Sequence, residues 1–210
     1  MASDREARTD GWRLPELVGE LPDPADRALL AHLRTFFAGH RVDVLTGPPG
    51  PLDHRIEGFH LVRIAPGPRL PLWTFASLGC WRATQEDGHG IELLLAGRSD
   101  DPRLAELVGI SAYFHAGPTA QRLDIGRTLD IGEPWFPGSG CDHLLVSVPY
   151  PYGPDLEIAE LPDGHARLLW LLPITEAEAR HLHEHGLESL ERALEEAAVD
   201  IVDPNRASAV

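Results

Sequence analysis

Glycine, proline and aspartate cut this chain into short apolar runs, and that punctuation limits the elements it can form. Ile56–Ile64, Leu70–Trp81 and Gly90–Leu95 are rich in apolar and aromatic residues and bounded by such breakers, which predicts strands. Further strands are expected at Leu144–Pro149, Leu156–Leu161 and Ala166–Pro173, with loops over Leu45–Asp53 and Gly126–Asp142. No run approaches the roughly 18 apolar residues of a membrane span.

Helix starts are written into three places. Asp23-Pro24-Ala25-Asp26 offers an N-cap, a proline at the first helical position and an acid at the positive end of the dipole. Leu29, Leu30, Leu33, Phe36 and Phe37 then repeat at helical spacing, with Gly39 as the stop. Asp101-Pro102 opens a second helix that ends at Gly117-Pro118. Thr175-Glu176-Ala177-Glu178 is a capping box, and Gly186 interrupts the helix that follows. The order helix, strands, helix, strands, helix predicts an α+β fold: a mixed, mostly antiparallel sheet packed with about three helices in a single domain. Residues 1–22 read as a partly ordered lead-in and 23–208 as the domain.

Charge narrows the function. The chain carries 33 acidic residues against 18 basic ones, a formal charge of -15, and every basic residue is arginine. Without lysine there is no Walker-type phosphate loop, no Schiff-base nucleophile and no kinase or Ser-x-x-Lys signature. The acid excess disfavours nucleic acid and anionic membranes as partners and favours a basic protein. Glu176 to Asp203 alone holds nine acids against Arg180 and Arg192. The charged first ten residues contain no apolar core, so no secretory signal is expected. Cys80 and Cys141 then read as free thiols in a cytoplasmic protein.

Catalytic and metal patterns are weak. His181 and His185 lie one helical turn apart with Glu178 one turn earlier, a trio that suits a metal only with a fourth ligand from elsewhere. An exposed polar helix face explains the same spacing. Ser139, Cys141, Asp142 and His143 share a loop, but Gly138-Ser139-Gly140 is not a nucleophile elbow, and nothing suggests an activated thiol. The sequence calls for no cofactor. The runner-up function, a metal-dependent or Ser/Cys hydrolase, rests on these residues alone. Trp135 and Phe136, flanked by prolines, form either a recognition surface or a cap on the core. Tyr150 and Tyr152 sit in a similar proline-rich stretch, and Glu188, Glu191 and Glu195 give the last helix an acidic face. These seven residues are the candidate partner contacts.

Ordered blocks carry a resemblance. They are Gly47-Pro48-Pro49-Gly50-Pro51-Leu52-Asp53, Leu72-Trp73-Thr74-Phe75-Ala76-Ser77-Leu78-Gly79 and Gly90-Ile91-Glu92-Leu93-Leu94-Leu95. Gly126-Arg127-Thr128-Leu129-Asp130 and Cys141-Asp142-His143-Leu144-Leu145 follow. Pro173-Ile174-Thr175-Glu176-Ala177-Glu178, His185-Gly186-Leu187-Glu188-Ser189-Leu190 and Asp203-Pro204-Asn205-Arg206-Ala207-Ser208 close the set. From Gly47 to Ser208 the chain resembles the suppressor of fused family. The resemblance implies a mixed α+β fold, no catalytic residues and a protein-binding role. Animal members sequester a transcription factor, and bacterial members are proposed to act as immunity proteins against toxins. No counterpart of the second domain of animal members is read here, so their inter-domain peptide clamp does not transfer. The expectation is a bacterial, non-enzymatic binding module, of immunity type, whose partner is another protein such as a basic toxin domain.

Overall fold

A computed structural model describes residues 19, 21–46, 55–87, 90–118 and 121–210. The Gly47–Asp53 block and nearly all of the lead-in lie outside these residues. Both early helices begin as expected. Asp23 Oδ1 accepts the Ala25 N–H at 2.7 Å to start α1 (Pro24–Phe36), and Asp101 Oδ1 accepts the Arg103 N–H at 2.9 Å to start α2 (Pro102–His115). At the far end of α2, buried His115 accepts the Leu123 N–H on Nδ1, and burial pushes its pKa down to about 4, so the ring serves as a neutral acceptor.

Among the described residues, eight strands form one sheet: β1 (Val42–Thr46), β2 (His60–Ile64), β3 (Trp73–Leu78), β4 (Gly90–Gly97), β5 (Thr128–Asp130), β6 (Cys141–Ser147), β7 (Ile158–Leu161) and β8 (Gly164–Thr175). Their order is β1-β2-β3-β4-β8-β6-β5, with β7 also pairing with β8. Among these strands β4 and β8 run parallel, joined by the crossover that contains α2, and the other pairings are antiparallel. The mixed, mostly antiparallel sheet of an α+β domain is therefore present. Helices number more than three, because α3 (Pro154–Glu157) precedes β7 and Gly186 divides the last helix into α4 (Glu176–His185) and α5 (Leu187–Glu196). Gly186 adopts φ 85°, a left-handed conformation that a side chain would strain.

Side-chain alternation sends each central strand into two cores. Leu94, Leu168, Trp170 and Leu172 join Leu29, Leu33, Leu182 and Leu190 under α1, α4 and α5. Leu93, Leu95, Leu169 and Leu171 join Leu104, Leu107 and Val108 under α2. A strand covered on both faces has no polar side to show, which is why the later part of β8 reads as an unbroken apolar run and β4 as one interrupted only by Glu92. Three expectations need adjustment. The start of the expected Leu45–Asp53 loop is the end of β1, the loop-rich 126–142 stretch contains β5 and the first residues of β6, and Leu156 belongs to α3. In the last case Pro154, at the first helical position after Gly153, favours a helical turn ahead of the strand.

The capping box closes α4: Thr175 Oγ1 accepts the Glu178 N–H at 3.2 Å, and Glu178 Oε2 accepts the Thr175 N–H at 2.8 Å. Glu178 does more. Its fully buried carboxylate takes both Arg206 terminal nitrogens, at 2.7 and 2.6 Å, and the Ala209 N–H at 2.9 Å. Arg206 also donates to the Pro173 carbonyl at 2.9 Å. This staple fastens the chain's last residues to the junction of β8 and α4. Burial opposes ionisation of Glu178 and is the largest single influence, but the Arg206 hydrogen bonds, the Thr175 and Ala209 N–H groups and the Arg206 charge together outweigh it and hold the carboxyl below its ordinary value.

Replacing Arg206 with methionine should therefore cost about 3 kcal/mol in urea unfolding, because the buried carboxylate loses its counter-charge. A carboxyl with a lowered folded pKa adds stability above its unfolded value, near 4.5, and loses it as pH falls through the folded value. That acid-side loss should be present in the wild type and absent from Arg206→Met.

Candidate partner-binding surface

The two proline-rich aromatic loops have opposite fates. Trp135 is fully buried in the α2-side core, where its indole N–H donates to Ser139 Oγ at 3.1 Å. Phe136 is half-buried and packs edge-on against that ring at 4.7 Å. Tyr152 is also internal: its ring packs among Phe36, Phe37 and Trp170, and burial pushes its phenol up to about 12. Trp135 and Tyr152 are therefore core residues, which corrects their assignment as partner contacts; each is tied to the interior by a buried polar atom. Tyr150, in the same short turn as Tyr152, is 66% exposed.

Beside Tyr150 lies Glu191 of α5. Leu187, Leu190 and Leu194 pack α5 on the core, and Glu188, Glu191 and Glu195 run one residue further round the helix. Glu188 and Glu195 are exposed, while Glu191 lies half-buried beside Tyr150. Burial, followed by the charge of Glu188, raises the Glu191 pKa, and the Glu191 charge raises that of the Tyr150 phenol. The acid excess is partly spent elsewhere, since Glu178 pairs with Arg206 and Asp200 with Arg98.

The catalytic and metal candidates are placed differently from their sequence pattern. Glu178 turns inward to Arg206, away from a shared site with His181 and His185. Those two ring centroids lie 4.6 Å apart with the planes tilted by 59°, and His181 Nε2 meets Ser189 Oγ at 3.0 Å. Among the described residues no group of three His, Cys, Asp or Glu side chains is arranged to hold a metal. Ser139 Oγ also accepts the Cys141 N–H at 3.1 Å, so this hydroxyl braces a turn. Cys141 is buried, and burial raises its thiol pKa. His143 Nδ1 meets Asp142 Oδ1 at 2.7 Å.

A charged cluster escaped the sequence reading. Arg82 Nη2 donates to Asp23 Oδ2 at 2.7 Å and to Asp26 Oδ2 at 2.6 Å, and the Trp81 indole reaches Asp26 Oδ1 at 3.3 Å. Beneath them Glu92 is fully buried, accepting from the Ser77 hydroxyl and from the N–H groups of Gly79, at 2.8 Å, and Trp81, at 3.2 Å. Burial pushes Glu92 up to about 7, with Ser77, Trp81 and Gly79 only partly offsetting it. The available signal was a lone acid inside the apolar run Gly90–Leu95. Above this cluster a cavity of about 310 Å³ opens between the start of α1, the Trp81–Arg82 turn and the β7–β8 hairpin.

Comparison with known proteins decides the family. The sequence model described as suppressor of fused protein (SUFU) matches residues 55–207. The chain belongs to the suppressor of fused family. A SUFU homolog from Neisseria gonorrhoeae is 31% identical and superposes with a TM-score of 0.72, over 89% of this chain and 97% of that one. Two further structures share the fold: one from a Sufu–Fu complex, at 16% identity and TM-score 0.64 over 90% and 93% of the two chains, and Drosophila Suppressor of Fused, at 15% and 0.64 over 94% and 54%. Immunity protein YqcF of Bacillus subtilis is 34% identical over 68 residues, 32% of this chain and about a third (35%) of that protein. Several blocks fall on the structural devices above. Leu72–Gly79 and Gly90–Leu95 hold the Ser77–Glu92 contact, and Pro173–Glu178 with Asp203–Ser208 form the C-terminal staple.

Glu92 should show in the pH profile. A carboxyl whose folded pKa exceeds its unfolded one binds protons more tightly when folded, so its contribution declines as pH rises from 4.5 to about 7. Urea midpoints across that range should fall in the wild type and flatten in Glu92→Gln, which mimics the protonated acid. Trp135→Ala should lower stability by about 3 kcal/mol, whereas Tyr150→Ala should leave the urea midpoint unchanged.

Proposed function

We propose that this chain is a cytoplasmic, non-enzymatic protein-binding module of immunity type, which neutralises a basic toxin domain. The supporting geometry is an exposed tyrosine set against the acidic face of α5. Tyr150 offers a large ring on a proline-stiffened turn, so little freedom is lost on docking, and Glu188, Glu191 and Glu195 supply the complementary charge. The immunity protein among its relatives and the SUFU–partner complex supply the analogy. Such a surface would speed encounter with a basic partner and cover part of its own substrate groove. Among the described residues no helix is long and apolar enough to cross a membrane, which suits this setting. The hydrolase reading draws less support, because Ser139 and Cys141 are engaged in the core and Glu178 is committed to Arg206.

Co-expression with a toxin encoded beside this gene tests the proposal. The wild-type chain should rescue growth. Glu188→Lys combined with Glu195→Lys should slow association about tenfold at low salt, with a smaller effect at high salt, and Tyr150→Ala should mainly speed dissociation. Failure of the wild type to protect against any neighbouring toxin would remove the immunity reading.

A further inference from the structure

The cavity beside α1 has walls that are part apolar and part polar, and a charge balance that is not neutral. Pro24, Trp81 and Leu161 contribute apolar surface, and Asp23, Arg82 and Asp163 contribute charge. With Asp26 just behind, three carboxylates face one guanidinium; the His165 ring completes the rim. Arg82 is not free to serve as a receptor for an incoming acid. Its Nη2 bridges Asp23 and Asp26, and its Nη1 lies so close to Gly79 that a Cβ there would sit 2.3 Å away. The positive end of α1 is occupied as well, since Asp23 Oδ1 already accepts the Ala25 N–H. Asp23 itself is held in its ionised form, its carboxyl lowered first by the Arg82 hydrogen bond. Asp163 is exposed at the tip of the β7–β8 hairpin. Arg82 Nη1 is buried without a hydrogen-bond partner and has no surface to offer a ligand, so the charge left at the cavity mouth is net negative, carried by two aspartates on one guanidinium and by Asp163.

We propose that this cavity receives an arginine side chain of the protein partner, with its guanidinium between the Asp23 and Asp163 carboxylates and its stem along Pro24, Leu161 and Trp81. The assignment deepens the binding-module reading and rests on it. Arginine suits the site better than lysine, because a planar, weakly hydrated guanidinium can bridge two carboxylates while its stem loses water to the apolar walls. A volume of about 310 Å³ lies at the small end for ligand pockets, the scale of one anchoring side chain rather than a cofactor.

The test needs no toxin. The Trp81 indole N–H, assigned with Trp81→Phe, reports on the cavity in a nitrogen–proton NMR spectrum. Nα-acetylarginine methylamide should move that resonance saturably in the millimolar range, less so as salt is added. Asp163→Asn, which keeps a turn-compatible residue, should weaken binding about threefold to fivefold with the urea midpoint unchanged. The lysine analogue should bind more weakly than the arginine probe. No saturable shift, an equal response in Asp163→Asn, or a shift produced instead by inorganic phosphate or acetate would overturn the assignment. These outcomes leave the immunity reading standing, which fails only if the wild-type chain does not protect. If the probe binds but Asp163→Arg protects as well as wild type, the cavity is not the partner's anchor point and the proposal is lost.

Discussion

The buried pair between Glu178 and Arg206 fastens the chain's last residues to the interior of the fold. It joins the end of the central strand β8, the start of α4 and the C-terminal residues, and it does so without a water-facing side. Desolvating two charges is costly, and the cost is offset only because nearly every lone pair finds a donor and the carboxylate also caps a helix N-terminus. Glu92 makes the contrast plain. It too is fully buried and accepts three hydrogen bonds, but none comes from a cation. One buried glutamate is thus driven below its ordinary pKa and the other well above it. A contacting guanidinium is the difference.

Local chemistry was legible in the sequence wherever a few neighbouring residues decide the outcome. The caps at Asp23, Asp101 and Thr175, the break at Gly186 and the apolar strands β4 and β8 all belong to this kind. What was not legible depends on residues far apart. β5 has three residues and exists because β6 lies beside it. Trp135 and Tyr150 both sit among prolines, yet one is buried and the other exposed, because only the fold says which side of a loop meets the sheet. Glu178 fits two patterns, a capping box and a histidine-flanked ligand trio, and the choice is made by Arg206, 28 residues later. Arg82 carries no motif, since its aspartate partners lie 56 and 59 residues away.

For a binding module, this division has a functional sense. Several family blocks coincide with internal staples and so belong to the scaffold. The surfaces suited to a partner lie on a short turn, an outer helix face and a hairpin tip, none of which the cores depend on. Such positions can change their side chains at little cost to folding.

The single parallel pairing has a consequence for how the molecule is made. β4 must wait for β8, whose pairing residues follow roughly 75 positions later, a span that a ribosome translates in seconds. Until then the meander β1–β4 has a terminal strand that is apolar on both faces, with an open edge. Nascent chains in this state are the natural substrates of holding chaperones. The interval between the synthesis of β4 and of β8 is therefore the period in which this chain shows an aggregation-prone edge.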